Sequence, residues 1–212
     1  MYRAAGIPYN ETMKLKDEYR ELTVINKSRF LACAMPCDSE EKARFYIDMI
    51  REEFPDASHV CTAYCIGPIQ RSSDNKEPAG TAGVPILESI KKSGMDGICV
   101  CVVRWFGGIK LGAGGLIRAY GGCAADVLAH APKVEEIQNT VWKLQYPYSL
   151  AGTLENALYR TFTNVQADYG EEVICTFEAG PEQNVLSIIW DLSKGQATPV
   201  CTGTVISYRD IE

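Results

Sequence analysis

Hydrophobic and polar positions alternate along this chain with two periods, and the switches between them mark out the elements. Residues 20–25 and 29–34 read as two strands flanking a turn at Asn26-Lys27. Residues 39–53 follow the helical period. Ser39 is placed to cap that helix, Glu40 and Glu41 favour its positive end, and Phe45, Met49 and Ile50 form its stripe. VCTAYCI at 60–66 is a strand. The polar, Pro/Gly-rich stretch 67–85 reads as loop, and 86–93 as a short helix. ICVCVVR at 98–104 is apolar and β-branched without alternation, as in a strand buried on both faces. A glycine-rich segment then leads into a helix running through Ala131.

Pro132 breaks that helix, and PKVEEIQNT continues polar, so 132–140 reads as a linker between domains at 1–133 and 134–212. Beyond it, 141–147 alternates as a strand. Leu150, Leu154, Leu158 and Phe162 share one helical face over 149–162, with Ser149 as cap. Runs at 164–168 and 172–179 flank Tyr169-Gly170 as a hairpin. Pro181 opens a helix carrying Val185, Ile188, Ile189 and Leu192, with Gly195 at its end, and a last strand covers about 200–208. The order βαββαβ is the ferredoxin-like split unit. The fold class expected is α+β in two domains. A ferredoxin-like arrangement hosts many functions and names none.

Charge separates the same two halves. Residues 1–133 carry 17 Lys+Arg against 16 Asp+Glu, whereas 134–212 carry 4 against 11. An acidic module repels a phosphate backbone, so nucleic-acid contact belongs to the first. No run is apolar enough to span a membrane. The opening MYRAAGIPYNETMKLKDEYRE lacks an apolar signal core, so export is not expected. Nine cysteines then read as reduced thiols in the cytoplasm.

The chemistry concentrates at Phe106–Tyr120. Gly107, Gly108, Gly112, Gly114 and Gly115 lie between a buried strand and a long helix, and Arg104, Lys110 and Arg118 occur in a stretch, 97–125, without one acid. Glycine lets the backbone approach a ligand closely, and amides at a helix start bind anions. Phosphate binding and plain packing of a tight connection are both consistent with this pattern. The strings of a P-loop and of a dinucleotide fingerprint are absent; Ile117 holds the fingerprint's last glycine position.

A second segment, Ser72 to Gly83, brings Thr81 and the amides of Gly80 to Gly83 near the next helix start as further anion contacts. Asp74 and Glu77 are either ligands for a hard cation such as magnesium or formers of a turn. His59 shares a strand face with Cys61 and Cys65, but no C-x-x-C is present and metal ligation has too few groups. The cysteines read as small core residues, and His130, four residues after Asp126, as structural. An Asp56–Ser58–His59 relay is sterically implausible in one extended segment. Trp105, Phe106 and Tyr120 are either stacking partners or core, and Phe106 reads as core.

The segment FGGIKLGAGGLIRAY, with Ser28-Arg29-Phe30, HVCTAY at 59–64, Asp74-x-x-Glu77-Pro78 and Gly80-Thr81-Ala82-Gly83-x-Pro85, closely resembles the YigZ/IMPACT family over about residues 18–130. Lys76 stands where the family usually has Gly, which bears on the tightness of that turn, and Trp105 stands where Tyr is usual. The resemblance implies an N-terminal β-α domain like that shared by a ribosomal protein, elongation factor G domain IV and the GHMP kinases. It likewise implies a ferredoxin-like C-terminal domain like those of elongation factor G.

It also implies a role near translation. Eukaryotic relatives restrain the amino-acid-starvation kinase response by competing for its activator, and the ligand suspected for bacterial members is nucleic acid. The expectation is therefore a non-enzymatic cytoplasmic protein that meets RNA or ribosome-associated phosphate and acts in translation or stress regulation, without a cofactor. The alternatives are a magnesium-dependent enzyme on a phosphorylated small molecule, and a protein-interaction adaptor docking through its acidic module.

Overall fold

The computed structural model describes residues 13–211. The opening segment on which the export expectation rests lies largely outside that range. The protein has mixed α+β structure, with two antiparallel sheets and five helices among the described residues. It divides into two compact units, one of residues up to Glu135 with the chain end from Asp210, the other Glu136–Arg209.

The first unit holds β1 (Met13–Leu15), β2 (Tyr19–Ile25), β3 (Ser28–Pro36), α1 (Glu40–Glu53), β4 (His59–Ile66), β5 (Ile69–Ser73), α2 (Gly83–Ser93), β6 (Ile98–Trp105) and α3 (Gly112–His130). Its main sheet runs β2-β3-β6-β4-β5, every neighbour antiparallel. β6 lies at the centre, and its side chains alternate between two cores. Cys99, Cys101 and Val103 pack with Ala43, Tyr46 and Ile50 of α1. Ile98, Val100 and Val102 pack with Ile86 of α2 and Leu116, Tyr120 and Val127 of α3. A strand covered on both faces has no polar side to alternate with, which is why its sequence is uninterruptedly apolar.

Local signals place several ends. Asn26 and Lys27 both take positive φ (46° and 65°), the twist a two-residue hairpin needs. Ser39 Oγ accepts the Lys42 amide at 3.3 Å and starts α1. The buried stripe of α1 is Ala43, Tyr46, Ile47 and Ile50. Of the expected stripe only Ile50 belongs to it; Phe45 is 68% exposed and Met49 43%.

Other expectations are corrected. The 67–85 loop contains β5, an edge strand that among the described residues pairs with β4 alone. The linker at 132–140 is instead the first half of a long strand, β7 (Lys133–Tyr146). Lys133–Glu135 pair with β1, and Thr140–Tyr146 pair with a strand of the second unit. The division between units thus falls within a strand.

The second unit continues with α4 (Tyr148–Thr161), β8 (Thr163–Tyr169), β9 (Val173–Ala179), α5 (Val185–Ser193) and β10 (Val200–Asp210). β10 and β9 both pair with β7, and β8 with β9. Leu154, Leu158 and Phe162 pack with Phe177, Val185 and Ile189. The capping residues differ from expectation. α4 begins after Pro147 with no side-chain cap, and α5 after Asn184, whose Oδ1 accepts the Ser187 amide at 3.2 Å. The nine cysteines are free thiols, eight of them buried. No helix among the described residues is long and apolar enough to cross a membrane.

Candidate functional site

The register of the main sheet sets three side chains in a row. Arg104, near the end of β6, is directly opposite Phe30 on β3 and His59 on β4. All three positions have the parity of the core beneath α2 and α3. Arg104 is 5% exposed. Its Nη1 donates to Glu77 Oε1 at 2.6 Å, and the Tyr120 hydroxyl donates to the same oxygen at 2.8 Å. His59 Nε2 stands 3.7 Å from that oxygen, and its Nδ1 is 3.0 Å from the Asn75 carbonyl.

Burial beside Cys61 and Glu77 pushes the Tyr120 hydroxyl well up, so it remains a donor. Burial likewise pushes the Cys61 thiol up to about 12. Arg104 was expected as a free cation beside the glycines. It is instead an internal partner of Glu77, because an unpaired guanidinium in this core would be strongly unfavourable. Its Nε is buried and has no partner.

Asp74 explains the start of α2. Its Oδ2 accepts the Gly80 amide at 2.8 Å, and its Oδ1 accepts Ala82 at 3.0 Å and Gly83 at 2.8 Å. Burial alone would raise this carboxyl; the three amides more than reverse that and hold it below its ordinary value. The anion at this helix start is therefore the chain's own carboxylate. This corrects the reading of Thr81 and Gly83 as contacts for an external anion. The Thr81 hydroxyl donates to Pro78 O at 2.7 Å, and a Cβ on Gly83 would come within 2.7 Å of the Ser73 backbone.

Both Asp74 oxygens accept amides in forming the turn, which favours the turn reading of this residue. Glu77, expected as a cation ligand or turn former, is a buried ion-pair partner. No group of three His, Cys, Asp or Glu among the described residues is arranged to hold a metal. Asn75 and Lys76 complete the turn with φ of 41° and 70°. The second is the left-handed conformation in which the expected glycine would sit without strain.

The start of α3 is different. Its N-cap, Leu111, contributes no side-chain bond, and Gly112, Ala113 and Gly114 are exposed. Gly107 is required by packing: a Cβ there would fall 2.0 Å from the backbone of Lys27. Gly108 and Gly112 take φ of 85° and 69°. A Cβ on Gly114 would meet Arg118 Nη1 at 3.6 Å, an ordinary contact, and one on Gly115 would lie 3.0 Å from the Leu111 Cβ.

A cavity of about 290 Å³ opens here, lined by His59, Glu77, Arg104, Phe106, Lys110 and the first turn of α3. Lys110 is exposed and has no ion pair among the described residues. Arg118 lines a different space, an apolar groove of about 810 Å³ between α2 and α3 that includes Val84, Pro85, Ile117 and Leu128. The structure therefore brings Arg104, Lys110 and Gly112 to one cavity and leaves Arg118 outside it.

Comparison with known proteins identifies the family. Residues 26–128 match the family model of the Impact N-terminal domain. An IMPACT family member encoded in the pol 5′ region of Thermus thermophilus is 40% identical over 180 residues, covering 82% of this chain and 97% of that protein. The chain belongs to the IMPACT family. Its other relatives include the IMPACT family member YvyE of Bacillus subtilis (strain 168), 42% identical over 154 residues and 71% of each chain. YigZ of Escherichia coli (strain K12) is 40% identical over 129 residues, 58% of this chain and 63% of that protein. A crystal structure of a hypothetical protein superposes with a TM-score of 0.59 at 30% identity, covering 95% of this chain and 98% of that one.

Two of the side chains lining the cavity of this IMPACT family chain that sequence reasoning did not place there are His59 and Phe106. His59 has the strand parity of Cys61, and that parity was the available signal that it faces the same side as Arg104. Phe106, expected in the core, is 49% exposed at the cavity. Its neighbour Trp105 is the ring that packing takes up: Phe54 meets it edge-on at 5.4 Å, Arg29 lies 4.6 Å above it, and its Nε1 donates to Asp56.

Proposed function

We propose that this IMPACT family member is a non-enzymatic cytoplasmic protein that binds phosphate groups of RNA or of the ribosome, in regulation of translation or of a stress response. The observation that carries the reading is the uncapped first turn of α3. It opens onto a cavity lined by Lys110 and Arg104. Backbone amides and the helix dipole there favour an anion. Family membership supports the setting. So does the acidity of the second unit, which confines a polyanion to the first. The same reading takes the first unit as the ribosomal-protein, elongation factor G and GHMP kinase type, and the second as ferredoxin-like. The pairing of β7 with both β9 and β10 supports the latter.

With Arg104 internally paired, two cations remain near the glycines, so the log–log salt slope is about one to two. The test is RNA filter binding with Lys110→Ala, alone and combined with Arg118→Ala. Loss of affinity with an unchanged melting temperature supports the reading. Wild-type binding that is absent, or that ignores salt, removes it. The amides on Asp74 favour its turn role over that of a ligand in the magnesium-dependent alternative. The adaptor alternative finds its favouring observation in the apolar groove of the first unit rather than in the acidic module where docking was expected.

A further inference from the structure

We infer that the α3 cavity receives an unpaired nucleotide, its phosphate on the first turn of α3 and Lys110 and its base on the ring of Phe106. This rests on the phosphate reading above and adds the class of ligand.

Phe106 is the starting point. A half-exposed phenyl ring beside a fully packed sheet keeps apolar surface in water. Among the described residues no aromatic ring pairs with it; the one ring interaction is the Arg104 guanidinium, 5.5 Å from its centroid. Yet the backbone that carries it is held firmly. The Phe106 amide donates to Ser58 Oγ at 3.1 Å, and the Gly107 amide donates to Ser28 Oγ at 3.1 Å. Gly107 itself lies so close to the Lys27–Ser28 backbone that no side chain fits between them. The ring thus stands on a preorganised support, which lowers the ordering cost of binding.

Two further features share its cavity. Lys110 supplies a cation without an ion pair among the described residues, and the exposed residues Gly112 and Ala113 open α3 without a capping side chain. A bare inorganic anion would use these and leave the ring unused. A ligand that is both anionic and flat uses all of them, and a nucleotide is such a molecule. Stacking on an aromatic ring needs a base whose face is free, as in single strands, loops and ends; a continuous duplex keeps its bases stacked on each other. A cavity of about 290 Å³ is also small, matching one nucleotide unit rather than a helix.

The experiment uses the full chain with adenosine 5′-monophosphate, adenosine and inorganic phosphate in calorimetric titrations. Single-stranded and blunt duplex RNA of equal length are compared by anisotropy. The nucleotide should bind at least tenfold more tightly than phosphate. Phe106→Leu should remove about tenfold of the nucleotide affinity while leaving phosphate affinity and melting temperature unchanged, and Phe106→Tyr should restore it. Single-stranded RNA should exceed duplex. Tight free nucleotide with no added affinity in the strand identifies a mononucleotide as the source; tighter binding in the strand identifies RNA. If the nucleotide binds no better than phosphate, or Phe106→Leu changes nothing, the inference fails and the phosphate reading stands. If Lys110→Ala also leaves every affinity untouched, that reading fails with it.

Discussion

Two helix starts lie over the same face of the main sheet, and they differ in what occupies them. α2 and α3 both begin in glycine-containing turns, and neither has a capping side chain at its N-cap, Ala82 or Leu111. At α2 the carboxylate of Asp74, eight residues before that cap, bonds three amides. At α3 no acid lies nearby in sequence, and the first turn faces a cavity with Lys110. The glycines are common to both, so they do not distinguish the two starts. The presence or absence of an internal anion does, and that depends on how a distant loop folds back.

The largest expected effect tests the element that ties the two starts together. Glu77 belongs to the α2 turn, Arg104 to β6 and Tyr120 to α3, and all three meet at Glu77 Oε1. Glu77→Ala leaves a buried guanidinium without its partner and should cost about 3–5 kcal/mol in urea unfolding. Combining Glu77→Leu with Arg104→Met should recover most of that loss, because both charges leave the core together. Should the single and double replacements prove equally destabilising, the pair does not join the two regions in the way the geometry indicates.

Next in size is Asp74→Ala, which leaves three amides at α2 without their acceptor and should cost about 2 kcal/mol. The pH dependence follows from the lowered carboxyl. Its folded value lies below the ordinary 3.8, so the stabilisation is complete above that value and is lost as pH falls through the folded one. Acid should therefore destabilise the wild type more steeply than Asp74→Asn below about pH 4. Emptying this start should also make it behave like α3. Sulfate should raise the melting temperature of Asp74→Ala more than that of the wild type, and an equal response in both would contradict the comparison.

How far the sequence revealed this arrangement depended on the range of the forces involved. The start of α1 was readable because Ser39, Glu40 and Glu41 act within one turn. β6 was readable because both its faces are buried. The first half of β7 was not, since Lys133, Glu135, Glu136 and Gln138 give it a polar look, and its partners β1 and β10 come from segments far apart in sequence. β5 was missed as a polar edge strand for a similar reason. At the site, the five glycines and Lys110 were visible locally, and Arg104 was visible as a charge. Its partner Glu77 is 27 residues away, and nothing local showed that the two meet in the core.

Lys76→Gly should have a smaller and opposite effect. A lysine at φ of 70° carries the left-handed penalty, so glycine should stabilise the α2 turn by roughly 0.5–1 kcal/mol after its own entropic cost. A rise of a few degrees in melting temperature is the expected reading. No rise would mean that the turn relaxes when the lysine is removed, and that Asp74 alone sets its shape.

The smallest effect on stability gives the sharpest test of the comparison. Ala113→Asp places a carboxylate in the exposed first turn of α3, where it can do for this helix what Asp74 does for α2. A negative side chain at a helix start stabilises by about 0.3–1 kcal/mol, and no core contact is lost because Ala113 is exposed. Stability should hold or rise slightly, while affinity for phosphate and RNA drops by tenfold or more through direct competition and repulsion. Ala113→Asn separates the two causes: its side chain also accepts amide protons but carries no charge, so it should weaken binding less. If both variants bind as the wild type does, the open start of α3 is a structural feature alone, and the difference between the two helices has no bearing on a ligand.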